Sequence, residues 1–266
     1  MGLFKKKEKK KLTNKELVSR WSIVIFVIVV GVSLFFTLRD NIDEITKSTI
    51  GNTKVFEYLN EDYNATSLVA SPVSDSDKIA VVDKTNASGI DLFNNNYMTQ
   101  QKYNSLGNAN DFSLTTNEVV FFTNEILAIT KNKYSINYKE INISQDGDET
   151  TIKIVATIDF PAFCKLQSSS TEIYNQLGYK VPQYVYVTSY STIKNNTTTH
   201  SAYINNLTST KNKEVIDHMN SQNTDFNIQN ICLDTFNSVL SDFCDRTNTS
   251  YHFSSGYVGF ETKLGN

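Results

Sequence analysis

The chain has few of the residues that cross-link or stiffen a fold, with three cysteines, three prolines and one tryptophan in 266 residues. The cysteines, Cys164, Cys232 and Cys244, are odd in number and cannot all pair within one chain. Cys232 and Cys244 fall in one predicted helix, about 18 Å apart along its axis, whereas a disulfide allows a Cα separation of about 7 Å. Only Cys164 could therefore pair with one of them. The fold must rest on an apolar core and not on a disulfide framework.

The sequence also lacks the short motifs that carry common chemistry. It contains no P-loop, no G-x-S-x-G, no H-E-x-x-H and no paired C-x-x-C. His200, His218 and His252 are scattered without metal-ligand spacing. The stretch from Asp146 to Glu149 lacks the alternating ligands of a calcium loop, and its Asp-Gly pair predicts a hairpin turn. We therefore expect a non-catalytic protein without metal or cofactor.

One long stretch without charge stands apart, Trp21 to Leu38. As a helix it would be roughly 27 Å long, close to the hydrocarbon thickness of a membrane. A cleaved signal peptide has a shorter apolar centre and a small-residue cleavage site, and the residues after Phe35 offer no such site. The run therefore favours a retained transmembrane helix over a cleaved signal or a buried core helix. The residues expected to contact the membrane include Trp21, Ile25, Phe26, Phe35 and Phe36.

Charge predicts the orientation of this span. Residues 1–20 hold eight of the 25 basic residues and two of the 28 acidic ones, whereas the far side begins with an acidic segment. The positive-inside rule places this basic head in the cytoplasm and residues 39–266 outside the cell membrane. Beyond the head there remain 17 basic and 26 acidic residues, a net charge of −9, which argues against nucleic acid as a partner.

Two parts of the outer region differ in pattern. The pattern of residues 39–112 predicts a membrane-proximal stalk followed by an irregular segment. Within the irregular segment, Ile79–Val82 has the composition of a short strand. Residues 113–266 predict an extracellular α+β domain, with antiparallel strands and helices on one face. Its first helix begins at a capping box formed by Thr115 and Glu118.

Alternating apolar residues predict the strands of this domain. Two runs surround the Asp146-Gly147 turn, with a bulge near Glu140, and Tyr184–Ile193 is rich in β-branched and aromatic residues. An apolar stripe from Ile228 to Cys244 predicts a long amphipathic helix. Further predicted elements are a strand at 201–207, a short helix at 214–219 and two short strands at 251–253 and 257–260.

The layout from Phe112 to Phe160, a helix followed by two strands around an Asp-Gly turn, continues into the tyrosine-rich strand after Pro182. This order resembles the YpmS-like single-pass envelope proteins of Gram-positive bacteria, and it is similar to the helix-then-curved-sheet units of tubular lipid-binding domains. The resemblance covers residues 112–260. It implies a curved antiparallel sheet packed on a long helix, with an apolar groove for an acyl chain or a partner helix.

The same residues are compatible with a closed core, and apolar stripes belong to a core more often than to a ligand site. The residues that would line a groove are Phe122, Ile126, Ile228, Ile231, Phe236, Val239, Leu240 and Phe243. We therefore expect a membrane-anchored domain that binds a lipid or a protein partner at the cell surface.

Two other functions remain open. The single span and compact outer domain are similar to assembly subunits of conjugation and secretion machines. The topology also resembles that of sortases, cysteine transpeptidases whose chemistry would need Cys232, His200 and Arg246. However, sortases carry their cysteine at the end of a strand in a T-L-x-T-C motif. A cysteine on the apolar face of a helix is usually a buried, inert thiol.

Overall fold

The computed structural model describes residues 73–159, 184–222 and 228–263. The predicted anchor at 21–38 and Cys164 lie outside these ranges, so both remain predictions. Within the described ranges, no helix is both long enough and apolar enough to cross a membrane.

The described residues form helices and antiparallel sheets, which confirms the α+β class. The helices are α1 (Asp75–Ala87), α2 (Gln100–Asn104), α3 (Thr116–Ile129), α4 (Ser209–Gln222) and α5 (Ile231–Thr247). The strands are β1 (Phe93–Asn94), β2 (Tyr97–Met98), β3 (Phe112–Thr115), β4 (Asn137–Asp146), β5 (Glu149–Asp159), β6 (Tyr184–Lys194), β7 (Thr197–Ile204), β8 (Thr249–Ser254) and β9 (Tyr257–Thr262).

The strand predicted at Ile79–Val82 is wrong, because these residues lie inside α1. A short apolar run has no period long enough to separate helix from strand. The helix is specified by a capping box just before it. The side chain of Ser74 accepts a hydrogen bond from the backbone N–H of Asp77, and the side chain of Asp77 accepts one from the backbone N–H of Ser74. The helix buries Val81 and leaves Ile79 54% exposed.

The segment predicted as irregular also contributes to the core. Val81, Leu92 and Tyr103 are fully buried, and they belong to the same apolar cluster as the residues of the sheets and of α5. The prediction of an irregular segment is wrong for residues 75–87 and 100–104, which form α1 and α2. The core continues across the predicted domain boundary at residue 112.

The larger sheet has the strand order β4-β5-β6-β7, and every pairing is antiparallel. Its register confirms the predicted bulge, which lies between Tyr138 and Glu140, and the predicted hairpin, in which Gly147 has a positive φ of 61°. One face of the sheet is apolar and buried. Its residues are Tyr138, Ile141, Ile143, Ile152, Ile154, Ala156, Ile158, Val185, Val187 and Ile204.

The smaller sheet has the order β3-β9-β8, so that the last strand lies between the other two. Aromatic rings join it to the helices. Phe112 stacks on Phe260 with ring centroids 4.6 Å apart, and Phe122 meets Phe243 edge to face at 4.9 Å. These contacts fix α3 and α5 against one side of this sheet, and they lie at the centre of the core.

Candidate functional site

The eight residues proposed to line an apolar groove are all buried. Phe122, Ile228, Phe236, Leu240 and Phe243 have no measurable exposure. Ile126 is 1% exposed, and Ile231 and Val239 are 6% exposed. All eight belong to one core cluster, in which the stripe of α5 packs between the sheets and α3. The stripe therefore packs as a closed core in the described residues.

A cleft lies beside this core, between the end of α3 and the outer side of α5. Its volume is about 930 Å³. The floor is formed by the edges of four core residues, Ile126, Leu127, Ile231 and Val239. The cleft thus uses three of the eight predicted residues, and Ile129 and Tyr134 add further apolar surface to it. Polar residues also line the cleft, and they include Thr130, Asn132, Asn230, Thr235 and Ser238.

One wall of this cleft is formed by the residues that follow the end of α3. Thr130 takes an extended conformation after the last helical residue, and its hydroxyl donates to the carbonyl oxygen of Ile126 at 2.8 Å. Asn132 then holds Ile136 with two hydrogen bonds, one to its N–H and one to its carbonyl oxygen. The segment between α3 and β4 is fixed by these bonds, and it forms one wall of the space beside α5.

Three cations and two carboxylates line the cleft. Lys131 and Lys133 are exposed on the wall after α3, and neither has an ion pair with a described residue. The ammonium group of Lys133 lies 5.0 Å from the centre of the Tyr134 ring. Arg246 faces the cleft from α5, together with Asp234 and Asp242. The lining therefore has a net charge of +1 in an outer region whose net charge is −9.

Arg246 is held in place by two other residues. Its Nε donates to an oxygen of Asp242 at 2.8 Å, and its guanidinium lies 4.7 Å from the centre of the Tyr103 ring. The hydroxyl of Tyr103 donates to the same Asp242 oxygen. Burial raises the pKa of Tyr103, and the hydrogen bond to Asp242 raises it further. Tyr103 is therefore a neutral donor.

Asp242 is ionised at neutral pH in this arrangement. Partial burial opposes ionisation, but the hydrogen bonds from Arg246 and Tyr103 outweigh it and hold the pKa of Asp242 below its usual value. Because Asp242 occupies the Nε of Arg246, the two terminal nitrogens of the guanidinium remain as donors. The cleft thus presents one oriented guanidinium and two exposed ammonium groups.

The three residues of the transpeptidase hypothesis do not form a site. Burial raises the pKa of Cys232 to about 12, and its neighbour on the sheet is Ser189. Arg246 lies fourteen residues further along α5, which corresponds to roughly 21 Å of helix. His200 lies on β7, where its Nδ1 is 2.9 Å from the Ser191 hydroxyl. Among the described residues, no group of His, Cys, Asp or Glu side chains is placed to hold a metal ion.

Sequence reasoning did not single out Lys131, Lys133 or Asp242. Lysines after a helix are ordinarily solvated, and no spacing in the sequence links residue 133 to residue 246. Tyr103 also gave no signal, because its segment has no periodic pattern. Comparison with protein-family models, with curated proteins and with solved structures found no match for this chain.

Proposed function

We propose that this protein is a non-catalytic, single-pass membrane protein whose outer domain binds an acidic segment of a protein partner in the cleft between α3 and α5. The observation that carries this proposal is the local reversal of charge. Three cations, Lys131, Lys133 and Arg246, face one cleft of an outer region that is otherwise acidic. Like charges elsewhere on the surface repel an acidic partner, so attraction is confined to this place.

The dimensions of the cleft suit a peptide segment. Its volume of about 930 Å³ is typical of a ligand site. Its walls carry hydroxyl and amide groups from Thr130, Asn132, Thr235 and Ser238, which can bond to the backbone of a peptide. An acyl chain would instead need a continuous apolar channel, whereas polar residues such as Thr130, Thr235 and Ser238 interrupt the apolar lining of this cleft. A protein partner is therefore favoured over a lipid.

The proposed location rests on the uncharged run at 21–38 and on the unequal charge of its two flanks. In this arrangement the basic head lies in the cytoplasm and the cleft is presented at the outer surface of the cell membrane. A partner would then be another protein of the cell envelope or of its surroundings.

The test uses a photo-crosslinking amino acid at Ser238, an exposed residue of the cleft, in the full chain in native membranes. We expect a discrete protein adduct that a synthetic oligoglutamate peptide suppresses and an oligoserine peptide does not. Lys131→Glu combined with Lys133→Glu should abolish the adduct. The matched control, Lys139→Glu with Lys194→Glu, makes the same change in net charge outside the cleft and should leave the adduct unchanged.

Other outcomes would contradict the proposal. An adduct with the mass of a membrane lipid would show that the cleft binds lipid. An adduct that survives both charge reversals equally would show that the cations do not select the ligand. The same crosslinker at Asn142, exposed on the outer face of the sheet, should give no adduct that oligoglutamate suppresses.

A further inference from the structure

The last strand of the larger sheet, β7, lies at its edge and pairs only with β6. The hydrogen bonds of Ile204 show which backbone groups of β7 point away from β6. The N–H of Ile204 donates to Asn212 Oδ1 at 2.6 Å, and its carbonyl oxygen accepts from Asn212 Nδ2 at 3.0 Å. These groups therefore point away from β6. In an antiparallel strand every second residue has the same direction, so the N–H and C=O groups of Ala202, His200 and Thr198 also face outward.

These three outward residues have no backbone partner among the described residues. The strand also lacks the usual protection of a free edge. Its sequence, TTTHSAYI, contains no proline, lysine, arginine or carboxylate, and its register with β6 shows no bulge. Asn195 and Asn196, both with positive φ, form the two-residue turn that leads into it, and pairing with β6 is regular from its first residue, Thr197.

A groove lies beside the C-terminal end of this edge. Its volume is about 500 Å³, and it lies between β7 and α4. Ala202, Leu207 and Ile216 supply apolar atoms to it, and Lys213 and Asp217 stand on its helical side with opposite charges. An added strand presents alternate side chains to opposite faces, so one or two side chains near Ala202 would enter this groove while the backbone pairs with β7.

We propose that β7 accepts an extended segment of a partner protein as an additional strand, with one or two of its side chains in the groove beside α4. The free ladder of N–H and C=O groups recognises backbone, and the small side chain of Ala202 leaves room for an apolar residue. The single positive and single negative charge of the groove favour a segment without net charge. The segment is about six residues long, because the strand is eight residues long and its last residue is already bonded by Asn212.

A second copy of this chain is a less suitable occupant. Pairing of β7 with β7 would join two short strips of backbone, whereas a stable dimer buries about 800 Å² on each partner. Donation of a single strand by a partner needs no such area, because its backbone bonds and one or two side chains in a groove supply the specificity. This site is built from β7 and α4 and is separate from the cleft between α3 and α5.

The test pans a library of random linear peptides, displayed on phage, against the full chain in detergent micelles. We expect enrichment of uncharged peptides that alternate polar and apolar residues. Ala202→Pro removes an outward N–H but no bond to β6, so it should weaken binding of the enriched peptides by about tenfold or more. Ala202→Gly keeps the N–H and is the matched control, which should bind within about threefold of the parent chain.

The remaining outcomes also decide the question. No enrichment, or equal binding to the parent and to Ala202→Pro, would overturn the proposal. A full chain that dimerises through β7, and that Ala202→Pro makes monomeric, would show that the edge belongs to a second copy. If Ala202→Pro does not fold, Leu207→Ser replaces it. That variant keeps every backbone group but removes a groove wall, and undiminished binding by it would also refute the groove.

Discussion

At the β4 edge of the larger sheet, the outward groups of Tyr138 and the carbonyl oxygen of Ile143 are bonded by other parts of the chain, whereas at the β7 edge the described residues bond only those of Ile204. Asn124 of α3 bonds both backbone groups of Tyr138 at 2.9 Å, and Asn132 bonds both groups of Ile136. The N–H of Gly256, in the turn between β8 and β9, donates to the carbonyl oxygen of Ile143 at 2.9 Å. The two edges of one sheet therefore differ in how many of their hydrogen-bonding groups are satisfied.

The difference shows what closes an edge in this fold. β4 follows α3 directly and lies next to the β8–β9 hairpin, and it also carries a bulge with Lys139 and Glu140. These features prevent addition of another strand. β7 has a helix beside it only near its end, where Asn212 of α4 bonds Ile204. The regular and uncharged β7 edge is therefore the one at which we propose strand addition.

Removal of the two asparagine side chains should give the largest change. Asn212→Ala deletes buried hydrogen bonds to Ile204 and Leu207, and should lower the free energy of unfolding by about 3 kcal/mol. Asn124→Ala deletes two bonds that are partly exposed, and should cost about 2 kcal/mol. Urea unfolding of the full chain, followed by far-UV circular dichroism, measures both.

The control for these substitutions is Asn142→Ala, on the exposed face of β4, which should change stability by no more than about 0.5 kcal/mol. If Asn212→Ala is as mild as this control, the bonds that define the direction of the β7 backbone are not formed.

A smaller effect is expected at the turn that covers β4. Gly256 has a positive φ of 82°, and Gly256→Ala should therefore cost about 1 kcal/mol and loosen its contact with Ile143. Gly107→Ala has no such conformation and no atom near its added methyl group, so it should be close to neutral. Thermal unfolding of the two variants compares them. Equal melting temperatures would show that the turn does not contribute to the closed edge.

The smallest effect concerns charge. The hydrogen bonds at the two sheet edges involve no charged group. Helix α5, in contrast, carries the ionised Asp242, whose folded-state pKa is below its usual value. This ionisation stabilises the fold at pH values above the unfolded-state pKa of about 4, and the contribution is lost as pH falls through the folded-state pKa. Asp242→Asn should cost less than about 1 kcal/mol at pH 7, because the carboxylate is 45% exposed, and nothing at low pH.

Urea unfolding at several pH values tests the last prediction, with Asp234→Asn, a cleft carboxylate without this bonding, as the control. A cost that does not change with pH would show that Asp242 acts through packing and not through its charge.

Most of the larger sheet and the last helix could be predicted because their signals are local. The bounds of β7 were not, since it spans 197–204 and was predicted at 201–207, and α5 begins at Ile231, after the predicted Ile228. Alternation, the Asp-Gly turn and the bulge near Glu140 all lie within a few residues of the structure they specify. The capping box at Thr115 likewise fixed the start of α3, and the stripe of α5 fixed its buried face. Residues 79–82 were misassigned because a four-residue apolar run carries no period, although Ser74 and Asp77 gave the helix signal nearby.

The candidate sites could not be predicted, since each depends on contacts between distant residues. The cleft joins Lys131 to Arg246, and the bond between Tyr103 and Asp242 spans 139 residues. The open edge depends on which strand lies last in the sheet, and sequence alternation is the same for an edge and for a centre strand. The apolar stripe was visible, but whether it lines a groove or a core depends on what packs against it.

Hydrogen exchange of individual amides tests the difference between the two edges most directly, in the full chain in micelles and without a partner. The amides of Thr198, His200 and Ala202 should exchange close to the rate of an unstructured chain, whereas those of Ile204, Tyr138 and Ile136 should be strongly protected. Protection of Ala202 and His200 equal to that of Ile204 would show that their N–H groups are already bonded. That result would contradict an edge that is open to a partner strand.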